Sequence, residues 1–120
     1  MSLASPGIAR APGLPRSLGV ALLLLACSTA AEELPVYTLV ARDGKFEPPN
    51  LEVPAGKRFK IAIRNEGKGP MEFESRDLKQ EKVLAAGAQS SVAINGLKPG
   101  TYIFFDDYHP DTSKGTIVAK

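Results

Sequence analysis

Leu97-Lys98-Pro99-Gly100-Thr101-Tyr102 decides the fold. The spacing Leu-x-Pro-Gly-x-Tyr is that of a tyrosine corner. In such a corner the phenol hydroxyl bonds back to the backbone a few residues upstream, pinning the turn that carries the chain between the two sheets of a sandwich. Tyr102 therefore reads as a buried architectural residue bonded to backbone around Asn95–Lys98, in preference to a catalytic tyrosine.

The flanking sequence agrees. From Val36 onward the apolar period is two, the period of strands and not of helices. In Lys57–Asn65, Phe59, Ile61 and Ile63 point one way, and Arg58, Lys60 and Arg64 point the other. Strands are expected at Val36–Ala41, Leu51–Val53, Lys57–Asn65, Met71–Ser75, Ser90–Ile94, Gly100–Asp106 and Gly115–Ala119. Leu78–Leu84 reads as a strand or a short helix, and Phe46–Pro49 as an irregular edge, because proline cannot donate to a ladder. Short strands separated by Gly/Pro turns predict an all-β, Greek-key β-sandwich of a single domain.

The chain has 120 residues, and its first third does not belong to that domain. Arg10 and Arg16 without any acid, the apolar run Leu18–Ala26, and the small residues Cys27–Ala31 form the pattern of a secretory signal. Nine apolar residues are far short of the ~20 needed to span a bilayer. Thr29-Ala30-Ala31 suits cleavage before Glu32. Leu24-Leu25-Ala26-Cys27 also suits a lipoprotein signal of residues 1–26, with Cys27 lipidated. The expected organisation is a signal peptide at 1–31, a tether at 32–36 and a domain at 37–120, exported to the periplasm. Membrane attachment would come only through Cys27.

Removing Arg10 and Arg16 leaves 13 basic residues against 13 acids, so the overall excess of positive charge belongs to the leader. Nucleic-acid binding wants a basic stripe, and none is left. Gly67-Lys68-Gly69 lacks the following Ser or Thr of a phosphate loop. The lone cysteine, Cys27, leaves the domain without a disulfide.

Two stretches carry chemistry: Met71-Glu72-Phe73-Glu74, and Asp106-Asp107-Tyr108-His109-Pro110-Asp111. Like charges so close repel one another, and a bound cation would relieve that. His109 is the only histidine of the chain. Imidazole is the commonest metal ligand, whereas the plainer reading is a loop histidine. Met71 serves equally well as core filler beside Phe73. Alternation places Met71 and Phe73 on one face and Glu72 and Glu74 on the other. Of the two glutamates Glu72 lies nearer the loop, so Glu74 is set aside as a solvated side chain. Asp107 is a reserve candidate that also suits a turn.

Residues 37–120 resemble the cupredoxins. The similarity lies in Pro54-Ala55-Gly56 before an alternating strand, Asn65, the position after Pro70, Gly100–Asp106, His109 and Gly115-Thr116-Ile117-Val118. In that family the residue after the proline is a histidine ligand, here Met71, and the cysteine ligand is here Asp106. The second histidine is His109, and the methionine of the last loop is replaced by Ser113 or Lys114. Met71–Ser75 together with Phe105–His109 is closest to the EfeO-type cupredoxin-like domains, including FtrB-like periplasmic proteins that serve iron permeases. The resemblance implies a metal site of Met71, Glu72, Asp106 and His109, with Asn65 pinning the two site loops. It implies copper as cofactor with iron as the other candidate ion, and an iron permease or other iron-uptake component as partner. The activity implied is capture or copper-dependent oxidation of ferrous iron. A copper electron carrier and a metal-free interaction module are the alternatives. Loss of the thiolate weighs against the carrier, and the clustered acids weigh against the empty module.

If Cys27 is lipidated, Cys27→Ser moves the protein from the membrane fraction to the soluble one. If cleavage follows Ala31, the same change leaves localisation untouched and the mature mass begins at Glu32.

Overall fold

A computed structural model describes residues 33–120, with Ser2, Gly7 and Gly13 as isolated exposed positions before them. The leader, its Arg10 and Arg16, and Cys27 lie outside the described residues. Glu32–Lys120 forms one compact unit. Its strands are β1 (Val36–Arg42), β2 (Lys45–Glu47), β3 (Asn50–Val53), β4 (Phe59–Asn65), β5 (Met71–Ser75), β6 (Gln80–Leu84), β7 (Gln89–Ile94), β8 (Gly100–Asp106) and β9 (Gly115–Ala119). No helix occurs among the described residues.

The strands make two sheets, β2-β1-β4-β7 and β3-β9-β8-β5-β6. β1 pairs with β4, and β3 with β9, in parallel, while the other pairs are antiparallel. Both sheets are therefore mixed. β4, β5 and β9 bury every second residue along their length, and Phe59, Ile61 and Ile63 of β4 share one core with Met71 and Phe73 of β5 and Phe104 of β8. The rings of Phe46, Phe73 and Phe104 form its centre, with centroids 5.1–6.3 Å apart. Each such ring contributes about 1.5–3 kcal/mol by leaving water. Gly115 opens β9 because a Cβ there would sit 2.2 Å from the Phe104 ring.

Two expectations sharpen. Phe46 and Glu47 belong to a true strand, β2, which pairs with Val40–Arg42 at the edge of the first sheet before Pro48 and Pro49 leave it. The ambiguous segment 78–84 is strand: β6 pairs with β5 from Gln80 opposite Ser75 to Leu84 opposite Met71. Tertiary pairing overrides the helix preference of Lys79–Lys82. The turn between them is fixed by Ser75 Oγ, which accepts from the Leu78 amide, and by Asp77, which accepts from the Ile103 amide.

The tyrosine corner is present. Tyr102 donates its hydroxyl to the Lys98 carbonyl at 2.7 Å. Its ring is half-buried, not buried as the sequence suggests, because the hydroxyl must reach the surface turn. Tyr102→Phe should cost about 1 kcal/mol in a denaturant titration, and an unchanged midpoint would remove Tyr102 from the architecture.

Candidate functional site

At the end where β4 and β8 finish, the 66–70 and 107–114 loops emerge beside the start of β5. Asn65, the last residue of β4, is buried at 3% exposure. Its Nδ2 donates to the carbonyls of Gly69 and Leu84, and its Oδ1 accepts from the Gly67 amide. Asn65 thus pins its own loop to the end of β6. The expected tie to the 107–114 loop falls to other residues.

That tie is made by Asp106. Inward alternation along β8 points its side chain into the end of the sandwich, where it is only 2% exposed. Oδ1 accepts from the amides of Glu72 (2.9 Å) and Tyr108 (3.0 Å), and Oδ2 meets His109 Nδ1 at 2.9 Å. The Asp106 amide donates to Ser113 Oγ at 2.7 Å, and that hydroxyl lies 3.1 and 2.6 Å from the carbonyls of Asp106 and His109. The His109 ring packs against the Asp43-Gly44 turn. Gly44 has φ +86°, and a Cβ there would stand 2.9 Å from the imidazole.

Met71 is elsewhere. It is 2% exposed and part of the core with Phe73. Its neighbours Glu72 and Glu74 project from the opposite, outer face of β5 and are half-buried. Phe73 pairs with Asp106 and Glu74 with Phe105, so the next step brings the Asp107 amide onto the Glu72 carbonyl at 3.0 Å. Carboxylate oxygens of Glu72, Glu74 and Asp107 all lie within 4.8 Å of one another. Burial pushes the Glu72 carboxyl up from the ordinary glutamate range, and the charges of Asp107, Glu74, Glu81 and Asp106 add to it.

The residues read from the sequence therefore separate into two groups. Asp106 and His109 form a hydrogen-bonded pair inside the end of the sandwich. Glu72 and Asp107 converge outside it, joined by Glu74, which the sequence reading set aside. The signal for Glu74 was present: outward alternation from Glu72 to Glu74 on β5, and from Phe105 to Asp107 beyond β8, puts all three on one face.

Residues 16–119 match the family model described as cupredoxin-like domain. An uncharacterized protein of Rickettsia prowazekii (strain Madrid E) is 36% identical over 80 residues, spanning 67% of this chain and 64% of that protein. Among solved structures, auracyanin from Roseiflexus castenholzii superposes with a TM-score of 0.62 at 13% identity, covering 73% of this chain and 98% of that one. A purple cupredoxin from Nitrosopumilus maritimus gives 0.54 at 18% identity, covering 69% and 98%. A copper-containing nitrite reductase from Thermus scotoductus gives 0.62 at 16% identity, covering 73% and 28%. At these identities the structures share the fold.

A blue-copper centre needs a thiolate and imidazole nitrogens open to the metal. Here the thiolate position is Asp106, with both oxygens hydrogen-bonded, and His109 Nδ1 is engaged by that carboxylate. Met71 is packed in the core, and Ser113 Oγ is occupied with backbone. This donor set does not fit that centre.

The raised Glu72 pKa has a sign. Its stabilising contribution is complete below the unfolded glutamate value and is lost as pH rises through the higher folded value. At neutral pH the ionised side chain burdens the metal-free fold. Glu72→Gln should therefore raise the melting temperature at pH 7 in the presence of chelator, and the gain should shrink as pH falls into the carboxylate range. A gain that grows on acidification would contradict the arrangement.

Proposed function

As the chain belongs to the cupredoxin-like domain family, we propose that it is an exported metal-binding protein that assists ferrous iron uptake, holding iron as cargo at Glu72, Glu74 and Asp107. The observation that carries this reading is the convergence of those three carboxylates on the outer rim, with Glu72 held above its ordinary pKa. Like charges forced together favour whatever cation neutralises them. Carboxylate oxygens are hard donors suited to hard cations. Iron as the ion, the periplasm as the compartment and an iron permease as the partner follow from the EfeO-type resemblance of Met71–Ser75 and Phe105–His109.

The site is shallow, and Asp107 is exposed. Three carboxylates leave coordination positions open to water or to a partner's ligands. Such a site loads and releases an ion readily, as a carrier must. Capture and hand-over are favoured over copper-dependent oxidation, because the copper positions of the family are committed to other contacts here. Ion binding competes with protons for the carboxylates, so affinity falls as pH is lowered.

Anaerobic calorimetric titration with Fe(II) tests the proposal. Glu72→Gln and Asp107→Asn should each weaken binding roughly tenfold or more, since each removes a ligand and not merely an outer-shell partner. His109→Ala should leave the affinity within about twofold, a few tenths of a kcal/mol. In iron-limited cells, wild-type protein should restore uptake to a deletion strain and the Glu72→Gln/Asp107→Asn double variant should not. Undiminished Fe(II) binding by that double variant would end the proposal.

A further inference from the structure

We infer that the Asp106 carboxylate does, without any metal, the structural work that an ion would do at this end of the sandwich: it is the hub that joins β5, β8 and the 107–114 loop. The hub holds this end of the fold whether or not iron binds outside.

A metal ion buried between two loops ties chain segments together by drawing several donor atoms to one point. Asp106 does this with the polarity reversed. One nearly inaccessible carboxylate draws three donors: the Glu72 amide from β5, the Tyr108 amide from its own loop, and the His109 ring. An ionised carboxylate taken out of water is costly unless it is hydrogen-bonded. Bonds to a charged acceptor are about twice as strong as neutral ones. Among the described residues, no buried side-chain nitrogen or oxygen lacks a partner. Among the described residues the interior therefore presents no unpartnered side-chain oxygen or nitrogen that only an ion could satisfy.

The surroundings are shaped for this network. A carboxylate accepts and does not donate, so the proton of the Asp106–His109 bond resides on Nδ1. Gly44 leaves room for the ring, and Thr112 Oγ1 donates to the Gly44 carbonyl at 2.9 Å, holding the 109–112 turn to the 43–44 turn. Ser113, itself 1% exposed, accepts from the Asp106 amide and returns its hydroxyl to the loop carbonyls. For a cation to sit between Asp106 and His109, Nδ1 would have to surrender its proton and Oδ2 would have to give up the imidazole, while the two amides on Oδ1 already supply the tie between β5 and the loop.

Amide hydrogen exchange by NMR on the chelator-treated full-length protein tests the hub. The Glu72 and Tyr108 amides should be protected in the absence of metal, and nitrogen shifts of neutral His109 should report the Nδ1–H tautomer. Asp106→Ala should accelerate exchange at both amides by at least about tenfold relative to amides elsewhere in the core. Asp106→Asn keeps the acceptor at Oδ1 and should preserve their protection. Adding Cu(II) should change the melting temperature of the wild-type protein by less than about 2 °C and produce no intense visible band. Two results would overturn the inference: amides that become protected only when Cu(II) is added, or a Cu(II)-dependent stabilisation that Asp106→Asn abolishes. If Asp106→Ala does not fold, the wild-type and Asp106→Asn measurements decide alone. Fe(II) binding at Glu72 and Asp107 is read by calorimetry, so failure of one account leaves the other measurable.

Discussion

Three donors meet on the carboxylate of Asp106: two backbone amides from different segments and the ring of His109. The geometry of the candidate site depends on that convergence. The bond from the Glu72 amide fixes the start of β5 against the end of β8, and the reciprocal bond from the Asp107 amide to the Glu72 carbonyl holds the strands in register one step further. Register decides faces in a sheet, because a slip of one residue would turn every side chain over. With this register, Met71 and Phe73 enter the core while Glu72 and Glu74 remain outside beside Asp107. The buried carboxylate thus places the exposed ones.

The two groups of acids show what environment does to one chemical type. Asp106 is deeply buried and satisfied by donors; Glu72 is half-buried among like charges and is pushed up. The first group consolidates the fold. The second concentrates negative charge on an accessible rim, the cheapest way for a β-sandwich to attract a cation without reorganising its core. On the proposed function the ion is held on the outer strand face and not at the buried Asp106–His109 end of the sandwich. Fold and site are separable in this way because the site is a handful of side chains on a scaffold whose stability comes from other residues.

Much of the scaffold was legible in the sequence. The corner at Leu97–Tyr102 gave the architecture, and two-residue alternation located β4, β5, β8 and β9 to within a residue or two. The edge was harder: β2 is three residues long and ends at Pro48, so its alternation is too short to register, and β6 carries helix-favouring residues that only pairing with β5 makes extended. The site was legible in part. The clustering of Glu72, Asp106, Asp107 and His109 near one end could be read from loop topology, but not which carboxylates turn inward. That distinction lies in cross-strand register: Phe73 opposite Asp106 makes Asp106 an inward residue and Asp107 an outward one. Glu74 lies further from the loop than Glu72, but the sheet enforces strand face over distance and so keeps both on the outer side. Asn65 was recognised as a pin, but its partner is the end of β6, a segment far away in sequence that only the folded sheet brings near.

Anomalous diffraction at the iron edge, from crystals soaked anaerobically in Fe(II), would locate the ion among the carboxylates. One peak is expected, within bonding distance of carboxylate oxygens of Glu72, Glu74 and Asp107, with Asp106 still hydrogen-bonded to His109 and to both amides. A peak between Asp106 and His109, with those bonds broken, would contradict it, as would the absence of any peak at the outer carboxylates.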